Sequence, residues 1–428
     1  MTMSPTPPPV PQGLPASPCV GICSVGSNGV CVGCLRTLDE IARWRSMGEA
    51  ERGAVWRRVL AQGWQAAKPV PRGWGGGRLV PGRPAPLVRD FAPVSPRPPL
   101  FTAPPTPMSQ PPQAPRARTL DQPTLDLLQQ AGSRGRPPLD GLSARQAREF
   151  PSWFELLFGP APRLAVMRDV DIPGADGARL HARLYADRPD PDSLVVYLHG
   201  GGWVLGSVAG YEPYTALLAQ RTGSAVLSVD YRLAPEHPFP APLHDAQAAL
   251  QYAAEQGASL LGRPMRRLVV MGDSAGAALA TVAARKRATQ VGLRQPDLQV
   301  LLYPVTDAGF DTPSYRDYAQ GYLLSAADMR WFWGQYCPDP SLRADPDASP
   351  LRAADLSGLP PTLLFSAEFD PLRDEGERYG QRLQQAGVSC RVVRCPGVLH
   401  GFVAMARALP LAASGFDTIC DGIRRHLA

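Results

Sequence analysis

The sequence predicts an α/β domain with a mostly parallel central sheet over residues 119–428, and two observations lead to this prediction. Short apolar runs alternate with helix-like segments such as 242–257 and 275–289, and each run is apolar nearly throughout. Alternating strands and helices indicate βαβ units, and strands that are apolar throughout are typical of a sheet buried on both faces. The predicted strands are 193–199, 225–230, 267–272, 299–304, 362–367 and 390–395.

A hairpin is predicted ahead of the parallel part of the sheet. Residues 167–186 contain two strand-like segments around a glycine-rich turn. This pattern is typical of antiparallel neighbours joined by a short connection. We therefore expect an antiparallel hairpin at one edge of the sheet.

Composition divides the chain into three parts. Residues 1–68 contain four of the eight cysteines, and residues 69–118 contain 15 of the 49 prolines. A segment so rich in proline forms neither a helix nor an inner strand, and it lacks the apolar residues to build a core. We predict a four-cysteine module over 1–68, an extended, disordered linker over 69–118 and a globular domain over 119–428.

Charge and hydropathy exclude two kinds of partner. The formal net charge is +6, but the basic residues are spread along the chain and form no stripe with aromatics, so we expect no nucleic-acid binding. The N-terminus lacks the pattern of a secretory signal, and no apolar run approaches the ~18 residues of a membrane span. We expect a soluble, cytoplasmic protein whose cysteines are reduced thiols or metal ligands.

The segment GDSAG, residues 272–276, places a serine between a predicted strand and a predicted helix. In the pattern G-x-S-x-G the serine takes a strained turn, and the glycines let the strand and the helix approach each other. The turn exposes the serine oxygen at the carboxyl end of the sheet, where open α/β proteins bind ligands. Ser274 is therefore the predicted nucleophile.

A serine hydroxyl needs a base, and we expect a histidine that is held by a carboxylate. Of the six histidines, His400 follows the last predicted strand in a glycine-containing loop. In this fold the carboxylate comes between the serine and the histidine in chain order. Asp370 follows a predicted strand and precedes a proline. We favour Asp370 over Glu368, which is closer to the strand, and over Asp374, which enters the next helix.

Three consecutive glycines follow the predicted strand 193–199, in the segment HGGGW. Glycines let backbone N–H groups face a cavity with no side chain in the way, where they stabilise a negatively charged oxygen. We predict that the N–H groups of Gly201, Gly202 and Ala275 form this oxyanion hole. His199, at the start of the loop, is predicted to be structural.

Five motifs in chain order resemble the hormone-sensitive-lipase family of carboxylesterases. They are HGGGW, YRLAPEHPFPAPLHDA, GDSAG, DPLRDEG and HGF. The resemblance covers roughly residues 165–428 and implies an α/β-hydrolase fold. It implies the roles of nucleophile for Ser274, orienting acid for Asp370 and base for His400, and the same three oxyanion-hole residues as above. By the same resemblance, Asp245 and the segment LAPEHPFP support the site.

The resemblance also implies a helical cap over the pocket, in two segments at about 119–165 and 308–345. Residues 121–131 and 143–158 fit the first segment, and the aromatic-rich, helix-like stretch 315–336 fits the second. Its aromatic side chains would line an acyl pocket, pack the core of the cap, or do both.

The cysteines near the N-terminus have the spacing of a metal site. Cys19, Cys23, Cys31 and Cys34 fit C-x₃-C-x₇-C-x₂-C, with glycines between them. So small a module cannot bury enough core to be stable alone, and a metal is a usual way to stabilise it. Four thiolates suit zinc or an iron–sulfur cluster, and disulfides are the competing interpretation. The segment at about 17–62 also resembles a small bacterial family that is described as iron–sulfur proteins.

Two helices are predicted after these cysteines. Thr37 and Glu40 have the spacing of a capping box, which begins the first helix, and the second covers about residues 49–62.

The sequence thus predicts a serine carboxylesterase that hydrolyses short- to medium-chain esters through an acyl-enzyme on Ser274, with no cofactor for this reaction. An amidase or lactonase with the same three side chains is one alternative, and a non-catalytic interaction scaffold on the same fold is another. The expected partner is a small-molecule ester substrate. The sequence leaves open whether the chain forms a homodimer.

Overall fold

The protein is described by a computed structural model in which the chain divides into two units, residues 1–113 and 114–428. The described residues are 35–43, 47–61, 119–133, 137–149, 157–174, 176–177 and 179–428. The predicted linker 69–118 and the predicted metal ligands Cys19, Cys23, Cys31 and Cys34 lie outside them. The boundaries at residues 68 and 118 therefore stay predictions.

In the first unit, two helices are described. Helix α1 covers Leu38–Arg43 and α2 covers Glu49–Ala61. The predicted capping box is present, because the Glu40 N–H donates to Thr37 Oγ1 (3.2 Å) and the Thr37 N–H donates to Glu40 Oε2 (2.8 Å). The buried apolar side chains are Met47, Val55, Trp56 and Val59.

The second unit is built on one eight-stranded sheet. The strands are β1 Val166–Pro173, β2 Arg179–Ala186, β3 Ser193–Leu198, β4 Ala225–Val229, β5 Arg267–Asp273, β6 Leu298–Leu302, β7 Thr362–Phe369 and β8 Cys390–Leu399. Their spatial order is β1-β2-β4-β3-β5-β6-β7-β8. β1 and β2 form the expected antiparallel hairpin, β2 also pairs antiparallel with β4, and the other pairs are parallel. The predicted mostly parallel α/β sheet is confirmed.

The sheet is covered on both faces, which explains why its inner strands are apolar throughout. The described helices are α3 Gln122–Ser133, α4 Ala144–Glu149, α5 Val208–Thr222, α6 Ala241–Leu261, α7 Ala275–Ala288, α8 Pro313–Asp317, α9 Ala326–Tyr336, α10 Arg373–Gln385 and α11 Pro410–Leu427. Along β3, Leu194 and Val196 pack into one buried cluster with α6, α7 and α10, while Val195 and Tyr197 pack into a second with α5 and α11. The carboxyl ends of β5, β7 and β8 consequently lie at one edge of a rigid sheet.

The stretch 315–336, expected to be one helix-like segment of the cap, is not continuous. Helix α8 ends before Gly321 (φ 86°) and Leu323 (φ 69°), whose left-handed backbone cannot continue a helix. A new helix, α9, begins after Ser325, whose Oγ accepts a hydrogen bond from the Asp328 N–H (3.0 Å) in a capping box. Gly321 and Leu323, which lie between α8 and α9, therefore explain why the predicted helical stretch is interrupted.

The two predicted cap segments contact each other. The indole N–H of Trp331 on α9 donates to the carbonyl of Leu142, just before α4 (3.1 Å). Residues 150–156 of the predicted helix 143–158 lie outside the described residues. Every helix in the described ranges is too short or too polar to cross a membrane.

Candidate functional site

Ser274 lies at the turn between β5 and α7, as the sequence predicts. β5 ends at Asp273 and α7 begins at Ala275, so a single residue makes the turn. Ser274 has φ 53° and ψ −118°, a combination that non-glycine residues rarely adopt. The turn also needs Gly276, because a Cβ there would be 2.0 Å from the Leu198 carbonyl oxygen of β3. The helix can therefore start directly against the sheet.

Side chains from three strand ends meet at this turn. Asp370 follows β7 directly, and His400 follows β8. His400 Nδ1 is 2.7 Å from Asp370 Oδ2, and His400 Nε2 is 3.0 Å from Ser274 Oγ. Asp370 is fully buried and His400 is 4 % exposed, so water hardly screens these contacts. Such a series can move a proton from the hydroxyl to an imidazole whose tautomer the carboxylate sets.

The two other carboxylates that the sequence offered for this position have different partners. Glu368 Oε2 accepts a hydrogen bond from a backbone N–H of β8, at 2.8 Å. Asp374 Oδ2 accepts one from a backbone N–H at the start of α8, also at 2.8 Å. Of the three candidates, the structure brings Asp370 to His400.

The glycine-rich loop after β3 lies beside the serine. Gly201 has φ 105° and Gly202 has φ 61°, in the region that favours glycine. A Cβ on Gly202 would be 2.1 Å from the Phe332 ring of α9. The described part of the chain provides no acceptor for the N–H groups of Gly201 and Gly202. The Ala275 N–H is at the first position of α7, where a helix supplies no acceptor. These N–H groups are available to a ligand.

A small cavity opens beside the serine and the histidine. Its volume is about 20 Å³, which is room for one water molecule. Burial raises the pKa of Tyr303, one of its walls, well above the usual value, so this wall is neutral. The remaining walls among the described residues are Phe158, Gly201, Tyr211, Asp273, Gly401, Val403 and Ala404. A larger groove of about 410 Å³ is lined mainly by α6 and α7 and includes none of the predicted site residues.

Asp273, next to the serine in the chain, is buried among hydrogen-bond donors. Its Oδ1 accepts from the Tyr197 hydroxyl (2.6 Å) and the Gly200 N–H (2.8 Å), and its Oδ2 accepts from the Tyr211 hydroxyl (3.3 Å). Burial raises the pKa of Asp273 above its usual value, and these hydrogen bonds oppose the rise. No role for Asp273 is predicted from the sequence. Its place inside GDSAG was a signal, but its partners come from distant segments.

Asp245 and His199, for which the sequence predicts supporting roles, are both buried and have polar partners. Asp245 is fully buried and forms a bidentate ion pair with Arg232, with nitrogen–oxygen distances of 2.7 and 2.9 Å. His199 stacks on Tyr231 with ring centroids 4.4 Å apart, and its Nδ1 is 2.7 Å from the Gly200 carbonyl oxygen. Burial lowers the pKa of His199, which favours the neutral ring.

No metal centre is formed by the described residues. Within them, no group of three or more His, Cys, Asp or Glu side chains is arranged to hold a metal ion. The cysteines of the second unit are free thiols at Cys337, Cys390, Cys395 and Cys420. Burial raises the pKa of the Cys390 and Cys395 thiols to about 12. These thiols therefore stay protonated and pack as small apolar side chains, unlike reactive thiolates.

Two segments of the chain match known protein families. Residues 195–404 match a family described as having the alpha/beta hydrolase fold. Residues 17–62 match a family described as a protein of unknown function, DUF1289. The second match covers the segment in which the sequence analysis identified the four-cysteine module.

Proteins that are similar to this chain in sequence or in structure include ester hydrolases. The chain is 39 % identical over 309 residues to the ethyl acetate hydrolase of Pseudomonas putida, a match that covers 71 % of this chain and 97 % of the relative. It is 40 % identical over 277 residues to the carboxylic ester hydrolase LipN of Mycobacterium tuberculosis, covering 63 % and 73 %. The solved structure of a hyperthermophilic esterase from the archaeon Pyrobaculum calidifontis matches with a TM-score of 0.66 at 39 % identity, covering 72 % of this chain and 99 % of that one.

Proposed function

The chain belongs to the α/β-hydrolase-fold family and is a carboxylic ester hydrolase, and from this premise we propose that Ser274, Asp370 and His400 are its catalytic triad. The observation that carries the proposal is the unbroken pair of hydrogen bonds, 2.7 and 3.0 Å long, from a buried carboxylate through an imidazole to the serine Oγ. The family and the α/β-hydrolase fold that the resemblance to the hormone-sensitive-lipase family predicted are confirmed.

The proposed reaction is acyl transfer to water. His400 Nε2 accepts the hydroxyl proton while Ser274 Oγ bonds to the ester carbonyl carbon. The N–H groups of Gly201, Gly202 and Ala275 stabilise the negative charge that develops on the carbonyl oxygen, at about 3–4 kcal/mol for each donor. The ester C–O bond then breaks, and the imidazolium protonates the departing alcohol. Water attacks the acyl-enzyme by the same steps, which release the carboxylic acid and restore the serine hydroxyl.

The proposed substrates are esters of short- to medium-chain carboxylic acids. The cavity beside Ser274 and His400 has a volume of about 20 Å³, which suits a small group next to the serine. A relative with 39 % identity is an ethyl acetate hydrolase, and its ester is of this class. A panel of p-nitrophenyl esters from acetate to decanoate, with matched amides and lactones, tests the range. Faster turnover of an amide or a lactone would contradict the assignment.

The nucleophile is tested by two matched serine variants. Ser274→Ala is expected to lower kcat on p-nitrophenyl acetate by about 10⁴-fold or more. Ser228 in β4 is also buried, and its hydroxyl has no partner among the described residues, so Ser228→Ala should stay active. A fluorophosphonate should label the wild type and Ser228→Ala but not Ser274→Ala. An active or labelled Ser274→Ala protein would refute the proposal, and an unlabelled, inactive wild type would favour the scaffold alternative.

For the N-terminal segment we propose a metal site formed by Cys19, Cys23, Cys31 and Cys34. The proposal rests on their spacing and on thiolate chemistry, which suits zinc or an iron–sulfur cluster. No step of ester hydrolysis uses this site. The test measures zinc, iron and acid-labile sulfide in the full-length protein and in a Cys31→Ser/Cys34→Ser variant. Stoichiometric metal that the variant loses supports the site, and a metal-free wild type purified under anaerobic conditions contradicts it.

We also propose a cytoplasmic location and a homodimer. The free thiols of the second unit suit a reducing compartment. β8 is an edge strand with no further strand beside it among the described residues, and an edge strand can pair with a second copy. Cell fractionation tests the location. Light scattering tests the dimer, and a mass of 46.0 kDa at every concentration would contradict it.

A further inference from the structure

We propose that Asp273 is a positioning residue that ties the glycine-rich loop to the serine turn, an inference that rests on the proposed function. The backbone of Asp273 leads directly into Ser274, while its Oδ1 accepts the Gly200 N–H at 2.8 Å. Gly200 leads directly into Gly201 and Gly202. One side chain therefore joins the nucleophile to the loop whose N–H groups would hold the substrate oxygen.

This link begins where the pairing of β3 with β5 ends. β3 and β5 are neighbouring parallel strands, and their last register pair is Leu198 with Gly272. The loop leaves the sheet beyond that pair, whereas Asp273 is still paired with Leu302 of β6, so the pairing of β3 with β5 no longer fixes the distance between the loop and the turn. The hydrogen bond from the Gly200 N–H to Asp273 spans this gap. The contact is close, because a Cβ on Gly200 would be 2.5 Å from Asp273 Oδ2.

Two tyrosines keep the Asp273 carboxylate itself in place. The Tyr197 hydroxyl, from β3, donates to Oδ1 at 2.6 Å, and the Tyr211 hydroxyl, from α5, donates to Oδ2 at 3.3 Å. Asp273 is 3 % exposed, so water hardly competes for its oxygens. Three donors from three elements thus allow this side chain one position, and the loop is held against a rigid acceptor.

Asp273 is not needed as the orienting acid, because His400 Nδ1 already bonds to Asp370. What the Gly200 contact sets is the position of the neighbouring N–H groups relative to Ser274 Oγ. A displacement of about 1 Å in such groups can cost about 10²-fold in rate, and the loss of one oxyanion donor costs about 10²–10³-fold. The effect should therefore fall on kcat, since these donors act chiefly in the transition state.

The first test compares two substitutions at Asp273. Asp273→Ala removes the acceptor and is expected to lower kcat on p-nitrophenyl acetate by about 10²-fold with little change in KM. Asp273→Asn keeps an oxygen for the Gly200 N–H and should retain most of kcat and the pH profile of kcat/KM. An alanine variant with the kcat of the wild type would overturn the proposal. So would an asparagine variant as slow as alanine, because charge rather than position would then matter.

The second test approaches the same contact from Gly200. The φ of Gly200 lies outside the left-handed region, so alanine is acceptable to the backbone there, and the new methyl would displace Asp273 Oδ2. Gly200→Ala should lower kcat as Asp273→Ala does, and the double variant should be little slower than either one. Losses that multiply in the double variant would show two independent effects and overturn the proposal. If Asp273→Ala does not fold, a slow Gly200→Ala beside a fast Asp273→Asn supports the proposal, and any other pairing contradicts it.

Ser274→Ala keeps the two proposals separate. An active Ser274→Ala protein refutes the proposed nucleophile. Wild-type kcat in Asp273→Ala, with Ser274→Ala inactive, refutes only the positioning role.

Discussion

The substitution Asp370→Asn isolates one hydrogen bond of the proposed triad, and the structure indicates how the amide would be oriented. Asp370 Oδ1 accepts the Leu372 N–H at 2.8 Å, and Oδ2 faces His400 Nδ1 at 2.7 Å. An asparagine must keep its oxygen at the Leu372 N–H, so its NH₂ group would point at the imidazole. His400 would then carry its proton on Nε2, the atom that faces Ser274 Oγ, and could not accept the hydroxyl proton.

The expected cost of this wrong tautomer is about 10⁴-fold in kcat. At 1.36 kcal/mol for each factor of ten, this corresponds to about 5.5 kcal/mol of transition-state stabilisation. Initial rates on p-nitrophenyl acetate measure it, with Asp374→Asn as the matched control. Asp374 lies four residues further on, and its Oδ2 binds a backbone N–H of α8. An Asp370→Asn variant with more than about a tenth of the wild-type kcat, or an equally slow Asp374→Asn variant, would refute the reasoning.

Three further predictions concern stability and the loop. Asp245→Ala removes the buried partner of Arg232, which then keeps only its ion pair with the exposed Asp176, and should cost about 3 kcal/mol in urea unfolding, whereas a cost below about 1 kcal/mol would contradict a stabilising buried pair. The hydrogen bond to Asp230 raises the pKa of His181, so its stabilisation is complete below about pH 6.5 and is lost as pH rises through the folded-state pKa. The Tm deficit of His181→Asn should therefore be larger at pH 5.5 than at pH 9, and the reverse order would contradict the sign. Gly202→Ala should lower kcat and Tm, whereas Gly358→Ala, also left-handed but in open surroundings, should not lower kcat.

The strand ends could be predicted because their signals are local. Ser274 lies between an apolar run and an alanine-rich helix, and both patterns extend over only a few residues. His400 and Asp370 follow similar runs, and parallel strands bring their carboxyl ends to one edge of the sheet. Chain order placed the carboxylate between the serine and the histidine, and the position of Asp370 after a strand and before a proline favoured it over Glu368 and Asp374. Each of these predictions required only the end of a strand and the direction of the chain, and apolar patterning locates the strand ends.

The contacts that orient these groups could not be predicted, because they join residues that are far apart in the chain. Asp273 meets Tyr197 and Gly200 from β3 and its following loop, more than 70 residues earlier. No periodicity specifies which buried polar atoms will face each other once the helices pack. The position of Asp273 inside GDSAG does not specify these partners, and only the three-dimensional arrangement shows them.

The aromatic residues of the second cap segment connect the cap to the oxyanion loop. Trp333 and Tyr336 of α9 are buried against Trp203, with ring centroids 5.0 and 4.0 Å away, and Phe332 covers Gly202. The described walls of the cavity beside Ser274 include no residue of α9. Of the two roles that the sequence left open for these aromatics, core packing is therefore the one with direct contacts.

Because the loop and the cap share this core, replacing a buried aromatic of α9 should disturb the N–H donors and lower kcat, rather than enlarge the acyl pocket. In Phe332→Leu, kcat on p-nitrophenyl esters should fall while the preferred acyl-chain length stays unchanged. A preference for longer acyl chains with an unchanged kcat would instead place Phe332 in the acyl pocket.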